Sequence, residues 1–198
     1  MADAMLQAFP EADLAIQNAG GIRSNLPPGI LRREHLQSVM PFDNRTFLVE
    51  MSGQDVLTMF RIGSSGQHGL LQVSDGTSYH FDPTLTDGTD LDGDGAVADW
   101  ERDRLCGVTV RGAPIDPEAT YRVVTSDFLF TGGDHLGPAF ANSTKLAEGP
   151  LLREQLWLTA EAHDQEAEPF AASDEGGDQE TLRLSSDALA DQQPVSGV

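Results

Sequence analysis

An asparagine, two glycines and an arginine crowd one short stretch, Ile16-Gln-Asn-Ala-Gly-Gly-Ile-Arg-Ser-Asn-Leu26. The apolar run Leu14 to Ile16 reads as a strand leading into it. Glycines such as Gly21 let the backbone turn tightly and approach a ligand closely. Asn18 adds a neutral amide and Arg23 a permanent cation, a pair suited to a polar, anionic small molecule. An ordinary turn with a surface arginine has the same composition, so this stretch alone does not decide.

A second stretch points to a metal. Asp90-Leu-Asp-Gly-Asp-Gly-Ala-Val-Ala-Asp-Trp-Glu101 matches the twelve-residue EF-hand calcium loop. Asp90, Asp92 and Asp94 stand at positions 1, 3 and 5, and Gly95 supplies the sharp turn at 6. Ala96 offers its carbonyl at 7, and Glu101 is the bidentate ligand at 12. The flanks depart from the pattern. His80 to Thr89 reads as strand and turn, and Trp100 to Leu105 leaves room for a short helix only. With no helix pair to open, the expected calcium ion is structural rather than regulatory. The alternative is a solvated acidic turn punctuated by Asp-Gly.

The elements that must position these groups follow from periodicity and turn signals. Helices are expected at 2–9, 31–39, 52–60 and 149–160, the second stopped by Pro41. Strands are expected at 12–17, 46–51, 105–110 and 120–125. Segments 70–73 and 77–81 read as a hairpin around Asp75-Gly76. Helices and strands mix without strict alternation, which predicts an α+β fold with a mixed β-sheet and packed helices. The calcium-like loop is then an insertion. Residues 1–160 form the expected domain. Residues 161–198 are acidic and poor in large apolar groups, and are expected to be a largely disordered tail, with Thr181 to Leu184 able to add one short strand.

Five motifs stand in order: Asn18-Ala-Gly-Gly-Ile-Arg23, Pro41-Phe-Asp-Asn44, Leu70-Leu-Gln-Val73, Tyr121-Arg-Val123 and Asp127-Phe-Leu-Phe-Thr-Gly-Gly-Asp134. Together they resemble the C-terminal domain of the 5'-nucleotidase family, over roughly residues 2 to 158. That family includes UDP-sugar hydrolases, ecto-5'-nucleotidases and 2',3'-cyclic-nucleotide phosphodiesterases. The resemblance implies a nucleotide- or nucleoside-binding domain in which Phe42 and Phe128 clamp the base. Stacking of that kind tolerates different bases. Burial in the core is the alternative for both rings. The resemblance gives Asp134 the ribose hydroxyls, Arg23 the ribose or phosphate, and Asn18 and Gly21 the same wall. His135 stands where the family often has glycine; of two readings, narrowing the entrance or facing solvent, the second is expected, and Phe130 is expected to join the core.

The resemblance also implies a partner. Family members hydrolyse phosphate esters with two metal ions held by an N-terminal domain, whose D-x-H and G-N-H-E signatures do not occur here. Histidines 35, 68, 80, 135 and 163 show no ligand spacing, so no catalytic residue is assigned and the chain alone is expected to be inactive. A further family arginine lies in an upstream segment not found here. Ala2 to Phe9 reads as mid-helix without a cap, as in a domain truncated at its N-terminal side. A periplasmic or extracellular location is implied by resemblance alone.

Composition narrows the partners further. The formal net charge is −20, and Lys145 is the only lysine, which disfavours nucleic acid. No run of eighteen apolar residues exists to span a membrane as a helix. Cys106 is the only cysteine and is expected to be a small buried hydrophobe beside Val108 and Val110. Two rival functions remain: a stand-alone binding module without hydrolysis, and a calcium-dependent interaction module.

Overall fold

Residues 14 to 18 are buried at every position, the mark of a strand covered on both faces. The computed structural model describes residues 1–166 and 181–184, and this strand lies inside it. Along the chain, α1 (Ala2–Gln7) precedes β1 (Leu14–Asn18), and β2 (Gly29–Arg32) runs into α2 (Arg33–Val39). β3 (Arg45–Ser52) runs into α3 (Gly53–Gly63), followed by β4 (Leu71–Val73) and β5 (Thr77–Phe81). Then come β6 (Leu105–Val110), β7 (Ala113–Pro114), β8 (Thr120–Ser126), α4 (Asp127–Phe130) and α5 (Gly137–Phe140). β9 (Thr144–Leu151), α6 (Leu152–Glu166) and β10 (Thr181–Leu184) complete the described elements.

The main sheet has the order β4-β1-β8-β3-β9. Its β1–β8 pair is parallel and its other pairs are antiparallel, so the predicted mixed α+β sheet is present. Alternation sends its apolar side chains to two layers. Leu14, Ile16, Val49 and Val123 pack with Val56, Met59 and Phe60 of α3 and with Phe140 of α5. Ala15, Leu48 and Val124 face the other way, against Met5 of α1 and Leu152 of α6. A third cluster joins Leu31 and Leu36 to Trp157 and Ala160 of α6. α3 starts cleanly because the Ser52 hydroxyl accepts the Asp55 amide at 3.1 Å.

Several expectations need correction. Segments 70–73 and 77–81 are not a hairpin. β4 pairs with β1, whereas β5 pairs with β6 in a separate sheet, β5-β6-β7. Ser74 turns this corner: it is buried, its amide donates to the Ala15 carbonyl, and its hydroxyl accepts the Ala15 amide at 2.9 Å. Residues 31–39 are not one helix, because 29–32 form the strand β2, whose partner is β10. Cys106 is exposed. Its strand bulges there, since His80 pairs with Gly107 but Phe81 with Leu105, and the extra residue reverses the alternation that buries Val108 and Val110.

The last helix begins at Leu152 rather than 149, because residues through Leu151 pair with β3. It continues to Glu166, past the expected boundary at 160. Thr181 to Leu184 does form a strand, antiparallel to β2. The remainder of the acidic tail, 167–180 and 185–198, lies outside the described residues.

Candidate functional site

The sheet explains why distant motifs converge. β1 and β8 run parallel side by side, so their carboxyl ends open at one edge, where ligands commonly bind in α/β sheets. Asn18 is the last residue of β1, and Asp127 begins α4 directly after β8. β3 is antiparallel to β8, with Thr46 opposite Ser126, so the chain entering β3 reaches the same edge. That chain carries Phe42.

Asn18, Gly21, Arg23, Phe42, Phe128 and Asp134 all line one cavity of about 300 Å³. The structure therefore brings together every residue singled out for the ligand. Phe42 and Phe128 are not core residues: they are 47% and 42% exposed. Phe130, by contrast, packs at 5.6 Å on Phe47. Arg153 of α6 fixes the Phe42 turn, donating to the Phe42 carbonyl at 3.0 Å and pairing with the Asp43 carboxylate. Phe128 rests on Gly133, where an added Cβ would come within 2.5 Å of the ring. The ring's position depends on that bare backbone.

The polar wall is a relay. The Gln17 side-chain amide donates to Asn18 Oδ1 at 2.9 Å, and Asn18 Nδ2 donates to Asp134 Oδ2 at 2.7 Å. Gly21 leaves space for this relay, since a Cβ there would lie 2.3 Å from Gln17 Nε2. Arg23 donates to the Gly20 carbonyl at 3.0 Å and sits 5.9 Å from the centre of the Phe42 ring. One cation and one carboxylate thus share a cavity with two exposed aromatic faces.

Sequence reasoning missed Gln17 and His68 in this neighbourhood. Gln17 lines the cavity although it is only 2% exposed. A glutamine closing an otherwise apolar run was its signal. His68 lines the cavity from the loop after α3, its Nδ1 3.9 Å from Asp134 Oδ1. His135 is exposed as expected but stacks on Trp100.

The insertion, residues 82–104, departs from its base as a short antiparallel ladder in which Gly88 bridges Arg102. Asp90, Asp92 and Asp94 offer oxygens that all lie within 4.8 Å of one another. Asp90 accepts the amides of Gly95, foremost, and of Gly93, which holds its carboxyl below the usual range. The Glu101 carboxylate falls outside that group. Glu101 is buried and its carboxylate accepts the amides of Ala98, Leu91 and Asp92, which lowers its pKa. The expected strand-and-turn flank is present; the single helical turn, Asp99–Glu101, forms the last three residues of the loop itself, and the chain is extended from Arg102 into β6, so the short leaving helix expected over Trp100 to Leu105 does not follow the loop.

The fold is an α+β domain whose sequence motifs meet at one cavity. A sequence model described as "5'-nucleotidase, C-terminal domain" matches residues 1–142, and the chain belongs to that family. The apyrase of Tabanus yao is 33% identical over 129 residues, which is 61% of this chain and 22% of that protein. The cell wall protein Lmo0130 of Listeria monocytogenes is 36% identical over 135 residues, 65% of this chain and 16% of that protein. The chain thus spans less than a quarter of either relative. Among solved structures, a 5'-nucleotidase precursor from Thermus thermophilus superposes with a TM-score of 0.66 at 28% identity, over 78% of this chain and 30% of that one.

Proposed function

We propose that this domain binds nucleotides or nucleosides and serves as the specificity half of a 5'-nucleotidase-like phosphoesterase. The observation that carries the reading is the pair of exposed rings, Phe42 and Phe128, on one cavity with Arg23 and Asp134. The rings take the faces of a base. Asp134, with one oxygen occupied by Asn18, accepts from ribose hydroxyls. Arg23 attracts phosphate, and Gly21 keeps the wall low enough for close approach. Titration calorimetry with adenosine and AMP tests the reading. Saturable binding supports it. No binding of either, with calcium binding intact, favours a calcium-dependent interaction module.

Hydrolysis would come from a partner domain. Two metal ions in such an enzyme activate water and stabilise the leaving oxygen. Among the described residues, the group with metal-holding geometry is Asp90, Asp92 and Asp94, hard oxygen donors without imidazole. These residues do not fit a dinuclear hydrolase centre. The domain's contribution is to bind and orient the substrate for a metallophosphoesterase domain. Binding without any such partner is the alternative of a stand-alone module. No described helix is long and apolar enough to cross a membrane. The relative named a cell wall protein supports a location outside the cytoplasm, periplasmic or extracellular.

Calcium at the insertion is part of the proposal. The three clustered aspartates support it, with Ala96 and Glu101 completing the set if the loop tightens around an ion.

A further inference from the structure

Trp100 belongs to the insertion, yet it is buried and lies flat on the His135 ring, with centroids 4.6 Å and planes 8° apart. His135 in turn lies 5.2 Å from the ring of His68, which lines the cavity. Asp134, the residue before His135, also lines the cavity. Asp134 and His135 both have left-handed backbones, φ 52° and 64°. Two such residues in succession are disfavoured for side chains with a Cβ and persist only where the surroundings hold them. Within the turn, the closing bond is the Leu136 amide to the Gly133 carbonyl at 3.1 Å. Asn18 holds the Asp134 carboxylate at 2.7 Å, and the Trp100 ring covers the face of His135.

Trp100 is itself firmly placed. Glu101, its neighbour, accepts three backbone amides of the insertion. Arg104 pairs with Asp99 at 2.8 Å and donates to the Ser65 carbonyl at 2.9 Å, tying the insertion to the loop that carries His68. The stack therefore has a fixed floor. We propose that Trp100 is a positioning residue for the ligand site: by stacking on His135 it holds the strained turn that aims the Asp134 carboxylate at the ribose hydroxyls. This rests on the reading of Asp134 given above.

The test uses the full chain and two variants. Trp100→Leu removes the floor. His135→Asn removes the stacked ring at an exposed position while keeping a residue that tolerates left-handed backbone, so it does not threaten folding. Binding of adenosine and 2',3'-dideoxyadenosine is measured by calorimetry, and hydrogen exchange of the Leu136 amide by NMR without ligand. In both variants adenosine affinity should fall roughly two- to tenfold, the weight of one aromatic stack. Dideoxyadenosine affinity should not change, Leu136 exchange should accelerate by a similar factor, and the double variant should be no worse than either single. Equal loss for both nucleosides, or no loss for either, overturns the positioning role, as does unchanged Leu136 exchange. If the unsubstituted protein does not distinguish the two nucleosides, or binds neither, the ribose reading fails. Leu136 exchange then decides on its own whether Trp100 holds the turn.

Discussion

The Asn18 side-chain amide donates to the Asp134 carboxylate at 2.7 Å, joining residues 116 apart in the chain. The bond ties the end of β1 to the turn after α4, so two walls of the cavity move as one. Gln17 sets the orientation of the Asn18 amide by occupying its oxygen. Asn18→Leu removes the donor and leaves the carboxylate partly desolvated without it. Adenosine affinity measured by calorimetry should fall by about 1–3 kcal/mol.

Phe42 and Phe128 come from separate loops, one pinned by Arg153 and the other seated on Gly133. Alanine at either position should weaken nucleoside binding by roughly 1–3 kcal/mol, the value of one base stack. The melting temperature should hardly change, because both rings are substantially exposed. Unaltered affinity in both variants, with the fold intact, would remove the clamp.

Gly133→Ala tests the seat rather than the ring. Its new Cβ would meet the Phe128 ring at 2.5 Å, so the ring must swing away. Affinity should drop by an amount comparable to Phe128→Ala, and the double variant should add little. Full additivity in calorimetric titrations would separate the two positions.

Calcium binding to the native insertion must raise the melting temperature. Asp92→Asn should lose most of the gain, because Asp92 is one of the three clustered carboxylates. A melting curve that excess calcium leaves in place would mark 90–101 as an acidic turn.

Acid should loosen the same insertion. Backbone amides, that of Gly95 foremost for Asp90 and that of Ala98 for Glu101, hold both carboxyls below their ordinary pKa. A carboxyl depressed on folding contributes stability above its unfolded pKa and loses it as pH falls through the folded one. The contribution is therefore complete above about pH 5 and lost on descent through and below the ordinary carboxylate range near 4. Trp100 emission in a Trp157→Phe background should be flat from neutral pH to that range and change below it.

How much of this was legible beforehand depends on whether the signal was local. The β1 run, the α3 periodicity with its Ser52 cap, and the cavity residues in their motifs are all written in adjacent residues. The β2 strand was not, because its partner β10 lies far along the chain, Thr181 opposite Arg32, and only Leu31 of its four residues is buried. The false hairpin at 70–81 has good turn residues at Asp75-Gly76. Its two arms part because Ser74 is already bonded to Ala15, a contact that no local pattern announces. Cys106 was misplaced by one bulge, which inverts a period of two without altering composition. The stack of Trp100 on His135 joins an insertion to a motif turn and has no sequence signature at all.

The parallel pairing of β1 with β8 carries a kinetic consequence. Asp13 and Arg122, 109 residues apart, are bonded at 2.8 Å beside that pair. Everything between them must be looped out before the two central strands can meet, and such closure is costly before native contacts offset it. The cavity cannot exist until then, since its walls are the ends of these strands. During synthesis β1 emerges before β8 and waits for it to leave the ribosome before the two can pair. Refolding should accordingly be slow for a domain of this size, and the recovery of ligand binding should coincide with the last phase of sheet formation rather than precede it.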